Sequence, residues 1–454
     1  MLQNRFIIRL WLIISFCLIA RYSEGAIDMD WKYDAIRRLA LVAEVSYPMN
    51  TRPLSQEEMS CIIWEIDKNK GTSKWPEHLE LLLKRLKQEN QGRIFLAATN
   101  ADRDGLSLFN NYGQRYQQGL NLSANMTLHG KCYDICPQVE VNQDGVTTGL
   151  KYGYLNYSRW HTSLQAGRIP HWWGPGQNGA WLFTTNAPTF DQLRITNQQA
   201  QSLPWLGRLK YDFLLGRLSS QKIVAYGISE KEENPRFIGL RFDCTPSRYM
   251  ELGIGEVCML SGRDDGLGLK DYLQAIFPSS NTTVEETTHG PITNRIASLD
   301  VTFKIPTNHR LLKGAEVYWE YGGEDCNPNR WGMQFLSAPA NLFGLYLDTG
   351  ATDMRLEYGE DEDEVVWYTH SNFTKGYRHK GLIPGHHMSE SKNWWLRISH
   401  PVTPNQIGVL EAEMINEKLS GISLGCLDSW KLKWQQDETG NAVTDIEWSW
   451  GLKM

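Results

Sequence analysis

The residue best placed to act as a nucleophile is Ser423, which lies between glycines in the stretch Gly421–Gly425, GISLG. This G-x-S-x-G spacing matches the nucleophile elbow of hydrolases, which needs a sharp turn between a strand and a helix to expose the serine. Here an alternating run from Trp430 to Trp434 follows, a pattern that is typical of a strand. We therefore expect an ordinary serine in a loop, and the motif predicts no catalytic residue.

Carboxylates form the second set of residues that could do chemistry. Glu316, Glu320 and Glu357 fall on the polar faces of alternating segments. A carboxylate pair at a suitable separation would hydrolyse glycosides. The same pattern is typical of charges that line a water-filled lumen. We favour that second interpretation, with the carboxylates paired to Arg355 or Lys304.

Two further clusters offer ligands for a metal ion. The five consecutive acids Glu360–Glu364 supply the oxygen atoms that a hard cation such as Ca²⁺ prefers, but their spacing is not that of an EF-hand. His379, His386 and His387 lie in a stretch rich in Gly and Pro. We favour a solvated turn for the acids and a hydrogen-bonded loop for the histidines. No catalytic, cofactor-binding or metal-binding residue is predicted.

The adjacent tryptophans Trp172 and Trp173 could bind sugar, because an aromatic face suits the apolar C–H patches of a sugar ring. The alternative is a structural role, with one ring in a lipid-facing girdle and the other packed inside the protein. The two tryptophans are followed by Gly-Pro-Gly, which interrupts regular strand pairing. This geometry favours the structural role.

The composition argues against nucleic acid as the partner, because the formal net charge is −6 and no basic stripe runs along the chain.

Residues 1–26 are predicted to be a secretory signal: Arg5 and Arg9 precede an apolar run that is too short to span a bilayer, and small residues follow. Of the eight cysteines, Cys132 and Cys136 are close enough to pair across a tight loop, although two reduced thiols fit equally well.

Two kinds of periodicity divide the rest of the chain. Residues 33–91 show three amphipathic helical patterns, one of them opened by a capping box at Ser55 and Glu58. From Arg93 onward apolar and polar residues alternate, as they do over residues 297–305. Alternation fits a soluble sandwich as well as a membrane barrel. The long strands, the eighteen tryptophans and the nineteen tyrosines favour the barrel.

Several short motifs carry a family resemblance through their order and spacing. They are Met49–Leu54, the WWGPG turn, Asn186–Pro188, Arg295–Asp300, Glu320–Asp325, Asp353–Tyr358, and Tyr377–Gly381 with Gly385-His386. Together they resemble the Wzi family of capsule-assembly outer-membrane proteins. The resemblance implies an all-β membrane protein, a closed antiparallel transmembrane β-barrel of about eighteen strands. The barrel would comprise residues 93–454, with a small helical bundle, residues 27–92, plugging its periplasmic end.

The resemblance also implies a function, in which the protein tethers capsular or extracellular polysaccharide to the bacterial outer membrane and is not an enzyme. Loop cations would meet uronate carboxylates of the glycan. The candidate glycan contacts are Tyr377, Arg378, His379, Lys380, Trp172 and Trp173. The alternatives are a glycan-modifying enzyme or a diffusion channel in the same barrel, or a soluble secreted β-protein. Other expected partners are outer-membrane lipid, lipopolysaccharide and the barrel-assembly machinery, and we expect a monomer.

Overall fold

The structure is a computed structural model. It describes residues 29–71, 75–87, 92–130, 132–225, 229–261, 267–276, 292–307, 309, 311–324, 326–327, 335–336, 339–361, 367–403, 406–426, 430–437 and 439–452. The predicted secretory signal and most of the run of five acids lie outside the described residues.

Three helices precede the strands: α1 (Met29–Val42), α2 (Gln56–Lys70) and α3 (Glu77–Lys87). The predicted capping box begins α2, where the Ser55 hydroxyl accepts a hydrogen bond from the Glu58 amide and the Glu58 carboxylate accepts one from the Ser55 amide. The apolar faces of the three helices share one buried cluster. None of the described helices is long and apolar enough to cross a membrane.

Eighteen strands form one sheet within the described part of the chain. They are β1 (Gly92–Ala101), β2 (Gly119–His129), β3 (Tyr133–Asn142), β4 (Gly145–Arg159), β5 (Thr162–Arg168), β6 (Asp191–Asn197), β7 (Gly207–Arg217), β8 (Arg236–Ser247), β9 (Met250–Ser261), β10 (Ile292–Pro306), β11 (Gly314–Glu324), β12 (Pro339–Asp348), β13 (Asp353–Asp361), β14 (Lys392–Thr403), β15 (Gln406–Ile415), β16 (Lys418–Cys426), β17 (Trp430–Gln436) and β18 (Ala442–Leu452). After a break, β6 is continued by Gln201–Leu203, which pairs with the same neighbour, β7.

Shorter elements lie outside this sheet. A fourth helix, α4 (Leu269–Ile276), lies between β9 and β10. Four short antiparallel pairs join Thr51–Arg52 to Trp172–Trp173, Leu106–Ser107 to Arg115–Tyr116, Gln221–Ala225 to Ser229–Glu233, and Cys326–Asn327 to Phe335–Leu336.

The sheet closes on itself because β1 pairs antiparallel with both β2 and β18. At this closure Phe95 lies opposite Asn125 on one side and Ser449 on the other. A closed barrel leaves no unpaired strand edge, which is the condition that lipid imposes on a spanning sheet. The predicted closed antiparallel barrel of about eighteen strands is confirmed.

The apolar face of the sheet points outward. In β10, Leu299, Phe303 and Ile305 are 44%, 49% and 50% exposed, whereas Asp300 and Lys304 are only 4% and 5% exposed. In a protein surrounded by water the charged residues would be the exposed set. The sheet therefore presents its apolar residues to lipid and its polar residues to the lumen, which identifies a transmembrane barrel and excludes the soluble alternative.

The two ends of the barrel differ in their connections. At one end the strands are joined by short turns, among them residues 160–161, 248–249 and 349–352. At the other end the connections are long, among them residues 102–118, 169–190, 218–235 and 362–391. The helices α1–α3 lie at the short-turn end, where Glu44 pairs with Arg248 and Arg38 pairs with Asp348. Outer-membrane barrels keep short turns in the periplasm and long loops outside the cell.

Candidate functional site

Two long connections fold into the lumen from the long-loop end, and we name the packed core that they form there the seal. We name residues 169–190 the Trp loop and residues 367–391 the Tyr loop. Their rings meet in one cluster: Tyr377 stacks on Phe237 of β8 with 5.7 Å between ring centroids, and Trp173 meets Phe183 edge to face at 4.8 Å. All four rings are at most 2% exposed. The seal is therefore a packed core that continues into the barrel wall.

The Trp loop reaches far enough into the lumen to pair with the segment that links the helices α1 and α2. Thr51–Arg52 forms a two-residue ladder with Trp172–Trp173. The Gly174 amide donates to the Asn50 carbonyl oxygen at 2.9 Å. Gly174 has a φ of 143°, and a Cβ at this position would lie 2.6 Å from a carboxylate oxygen of Glu320. Glycine is therefore required where the two halves of the plug meet.

Trp172 and Trp173 are structural residues in this conformation. The Trp173 indole N–H donates to Asp212 Oδ2 at 3.2 Å, and the Trp172 indole N–H donates to the Gly176 carbonyl oxygen at 2.8 Å. Both rings are buried in the lumen, so the prediction that one of them lies in a lipid-facing girdle is wrong. Trp173 is fully buried, whereas Trp172 borders a cavity in the lumen.

The Tyr loop places its four candidate residues at different depths. Tyr377 is fully buried, its hydroxyl donates to the Leu182 carbonyl oxygen at 2.9 Å, and burial raises the pKa of Tyr377. His379 Nδ1 accepts a hydrogen bond from the Ser219 amide at 3.0 Å. Burial and the nearby Lys380 lower the pKa of His379 to about 4, so this ring is neutral at pH 7.

Four cations lie around the outer side of the seal; we name Arg115, Arg168, Arg378 and Lys380 the mouth cations. Arg115 Nη2 donates to the Lys380 carbonyl oxygen at 3.1 Å, and Arg168 pairs with exposed Asp191 at 2.9 Å. Arg378 is half-buried, and that burial lowers its pKa. Among the described residues no carboxylate lies within 4 Å of Arg115, Arg378 or Lys380. Arg115 and Lys380 are also exposed to solvent.

The sequence and the fold both match known proteins. A family model described as capsule assembly protein Wzi matches residues 91–452. This chain belongs to the Wzi capsule-assembly family. A relative from Klebsiella pneumoniae, described as an uncharacterized 55.8 kDa protein in the cps region, is 23% identical over 377 residues, which are 78% of this chain and 66% of that protein. The chain thus spans just under two thirds of the length of this curated relative.

A solved structure shares the fold. It is Wzi of Escherichia coli, described as an outer membrane protein involved in group 1 capsule assembly and as a carbohydrate-binding β-barrel. The TM-score is 0.67 at 17% sequence identity, and the match covers 95% of this chain and 99% of that one. The present Wzi-family barrel lies in the outer membrane, with its helices α1–α3 at the periplasmic end, which confirms the predicted location.

The lumen carboxylates of this Wzi-family chain hold the plug in place. Glu357 accepts hydrogen bonds from the amides of Gln177 at 2.7 Å and Asn178 at 2.9 Å. Glu320 accepts one from the Trp181 amide at 3.2 Å. Both carboxylates therefore fix the backbone of the Trp loop, a role that alternation along a strand does not reveal.

Glu316 holds the plug from the opposite side. Its carboxylate pairs with Arg37 of α1 at 2.7 Å, and both side chains are buried. The predicted partners Arg355 and Lys304 are neighbours that act on Glu316 through their charge. Lys304 makes its direct ion pair with Glu251, at 3.0 Å.

The serine and cysteine motifs have structural explanations. Ser423 lies inside strand β16, so the prediction of a loop serine is wrong, and the strand–turn–helix context of a nucleophile elbow is missing. Its hydroxyl donates to Glu411. No disulfide joins Cys132 to Cys136; the Cys136 thiol instead donates to Asn125 Oδ1 at 3.7 Å.

The histidines of the Tyr loop are engaged in packing and hydrogen bonding. His387 Nε2 lies 2.7 Å from a Glu413 carboxylate oxygen, and the ring of His386 lies against Trp181 with 5.1 Å between centroids. Burial lowers the pKa of His386. Within the part of the chain that the structure describes, no group of three His, Cys, Asp or Glu residues is arranged to hold a metal ion.

The plug does not fill the lumen completely. A cavity of about 220 Å³ remains against the inner wall of strands β14–β18. Its lining includes Trp172, Trp395, Arg397, Lys431 and Lys433.

Sequence reasoning missed Arg115 and Arg168. Arg168 is the last residue of β5, directly before the Trp loop, and a cation at the end of a strand that leads into a long loop is the signal that would have found it. Arg115 lies in a short hairpin of the connection 102–118, and only the tertiary fold brings it to Lys380.

Proposed function

We propose that this chain is a non-enzymatic anchor that holds a long capsular or extracellular polysaccharide at the surface of the outer membrane. The mouth cations carry the proposal, because Arg115, Arg378 and Lys380 supply positive charge at the long-loop end with no described carboxylate within 4 Å. Guanidinium and ammonium groups form charge-assisted hydrogen bonds with carboxylates such as those of uronic acids. The description of the Escherichia coli relative as carbohydrate-binding supports the same function.

The binding should be weak at each site and strong along the polymer. An exposed contact between a cation and a carboxylate contributes about 0.2–1 kcal/mol. One polymer of many repeats engages many anchors at once, and each later contact then forms at a high effective concentration. Because exposed charges are screened, the retention of polymer should fall as the salt concentration rises.

Catalysis is not part of the proposal. A hydrolase needs a nucleophile or an acid–base pair that faces a substrate. Ser423 lies within a strand, and Glu320 and Glu357 accept hydrogen bonds from the Trp loop.

A diffusion channel is the second candidate function, because a cavity remains beside the plug. Steady ion conductance of the purified wild-type protein in a planar bilayer would favour the channel over the anchor.

We further propose that the barrel-assembly machinery inserts this chain into the outer membrane and that it works there as a monomer surrounded by lipid. The outward apolar face of the sheet supports the contact with lipid. The mass of the protein in mild detergent, measured by light scattering, tests the monomer.

The anchoring function is tested in a strain that lacks the protein. The strain is complemented with the wild type, with the double variant Arg378→Ala/Lys380→Ala, or with the control Lys68→Ala/Lys84→Ala. The control removes two exposed charges at the short-turn end. The cell-bound and shed fractions of polysaccharide are then measured, together with heat-modifiable gel migration as a check on folding.

We expect the strain without the protein to shed polysaccharide, the wild type and the control to retain it, and the Arg378/Lys380 variant to shed an intermediate amount. If loss of the whole protein leaves both fractions unchanged, the anchoring function is refuted. If the strain without the protein sheds polymer but the Arg378/Lys380 variant retains it like the wild type, the anchor stands and this site is refuted.

A further inference from the structure

Helix α4 packs on the outer wall of the barrel. Tyr272 of the helix and Leu267 just before it lie against a small cluster formed by Ile238, Cys258 and Leu260 of strands β8 and β9. These three strand residues belong to the outward-facing set, because the residues that alternate with them along the strands enter the buried lumen cluster. The connection between β9 and β10 thus brings α4 against the side of the barrel that faces lipid.

The level of α4 along the membrane normal follows from strand β10. Ile305 and Leu299 are lipid-facing, and further along the same face Arg295 pairs with Glu256 at 2.6 Å. Ten residues separate Ile305 from Arg295, and at about 3.3 Å per residue with a tilt of about 40° they rise about 25 Å. This is the usual height of the apolar band of an outer-membrane barrel. Since Arg295 lies opposite Cys258, α4 sits at the outer edge of that band.

The free face of α4 is apolar at this level. Leu269 and Leu273 lie one helical turn apart and are 76% and 49% exposed. Lys270, beside them in sequence, is also exposed. The exposed leucines extend the lipid-facing surface of the wall at the level where acyl chains meet head groups. This combination of an apolar face and a neighbouring cation is typical of a helix that lies in a membrane interface.

We propose that α4 is an interfacial helix that binds lipid of the outer leaflet, the lipid A portion of lipopolysaccharide. Leu269 and Leu273 contact its acyl chains, and Lys270 contacts its phosphate groups. The occupant is lipid because the surface is continuous with the lipid-facing wall, and it is lipid A because the helix lies at the long-loop end. The site is separate from the mouth cations, and its failure would leave the polysaccharide anchor untouched.

The first test is photo-cross-linking of the full chain in living cells. A photoreactive benzophenone amino acid replaces Leu269 or Leu273, and in a control it replaces Leu311, an exposed leucine in a turn at the short-turn end. We expect an adduct with lipopolysaccharide from positions 269 and 273 and none from position 311. Folded protein that gives no lipopolysaccharide adduct at 269 and 273, or an adduct with another protein or a second copy of this chain, overturns the proposal.

The second test measures the binding of purified lipid A to the full chain in detergent. The loss of one cation that meets an anionic lipid surface should weaken binding about fivefold, so Lys270→Ala should show that change. Lys84→Ala, which removes an exposed cation at the short-turn end, should bind like the wild type. Equal affinities of Lys270→Ala and the wild type would overturn the phosphate contact, and absence of lipid A binding by the wild type would overturn the site.

Discussion

Removal of the Arg38 guanidinium should loosen the helices from the barrel. Arg38 is buried and donates to both oxygens of Asp348, at 2.9 and 3.0 Å, and to Asp353 at 2.5 Å. It also donates to the carbonyl oxygen of Gly350 at 3.1 Å. Arg38→Ala therefore leaves two carboxylates in a poorly solvated position without their cation. The loss of one partner of a buried ion pair costs about 3–5 kcal/mol.

The structure supplies a matched control for this prediction. Arg248 also joins the helices to the barrel, because it pairs with Glu44 at 3.0 Å. In this pair the side chains of Arg248 and Glu44 are both exposed. Such a pair contributes about 0.2–1 kcal/mol. At 1.4 kcal/mol per factor of ten, Arg38→Ala should raise the population of undocked helices by about two to four orders of magnitude, and Arg248→Ala by less than about tenfold.

Two measurements follow the undocked state: hydrogen exchange of the α1 amides and single-channel conductance in a planar bilayer. We expect Arg38→Ala to exchange faster and to open more often, while Arg248→Ala stays close to the wild type. Heat-modifiable migration confirms that the barrel itself is intact. If the two variants behave alike in intact barrels, then the buried ion pair is not what holds the plug at this end.

Three further perturbations test other parts of the plug. Deletion of residues 30–90 should raise conductance, because it removes the helices at the periplasmic end together with Asp34 and Arg52, which line the lumen cavity, and an unchanged conductance in a folded deletion variant would contradict a plug. Gly179→Ala should lower the temperature at which the barrel loses its fast gel migration, because its Cβ would lie 2.0 Å from the His386 ring, whereas Gly149→Ala has nothing within 4 Å and should behave like the wild type. Burial lowers the pKa of His171 in the folded protein from 6.5 to about 4. As the pH falls, this histidine is therefore protonated in the unfolded state before it is protonated in the folded state. Stability should therefore decline between about pH 6.5 and pH 4, by up to about 3 kcal/mol, and an equally steep decline in His171→Gln would show that other groups cause it.

The barrel and its helices were predictable because their signals are local. The capping box of Ser55 and Glu58 spans four residues, and its two hydrogen bonds form within one turn of helix. The strands were visible because alternation over residues 297–305 separates two faces of one sheet. Which face meets lipid is not local information. It became evident only when Leu299 was found exposed and Asp300 buried.

The path of the long loops was not predictable from spacing. The WWGPG turn indicates a special backbone geometry, but nothing within it says that Trp173 will lie beside Phe183 in the lumen. That position is fixed by distant groups, among them Asp212 of β7, which accepts the indole hydrogen bond, and Asn50, which pairs with the Gly174 amide. A residue whose partners are far apart in sequence takes its place only from the tertiary fold.

The arrangement of the Tyr loop connects the seal to the proposed anchor. Lys380 is three residues from Tyr377, whose ring stacks on Phe237 of the barrel wall and whose hydroxyl donates to the Leu182 carbonyl oxygen. A polymer that pulls on Lys380 would therefore pull on a segment that is packed into the core of the barrel. A surface loop without such packing would yield by local unfolding under the same load. The burial that removes Tyr377 from contact with a glycan thus makes the neighbouring cations a firm point of attachment.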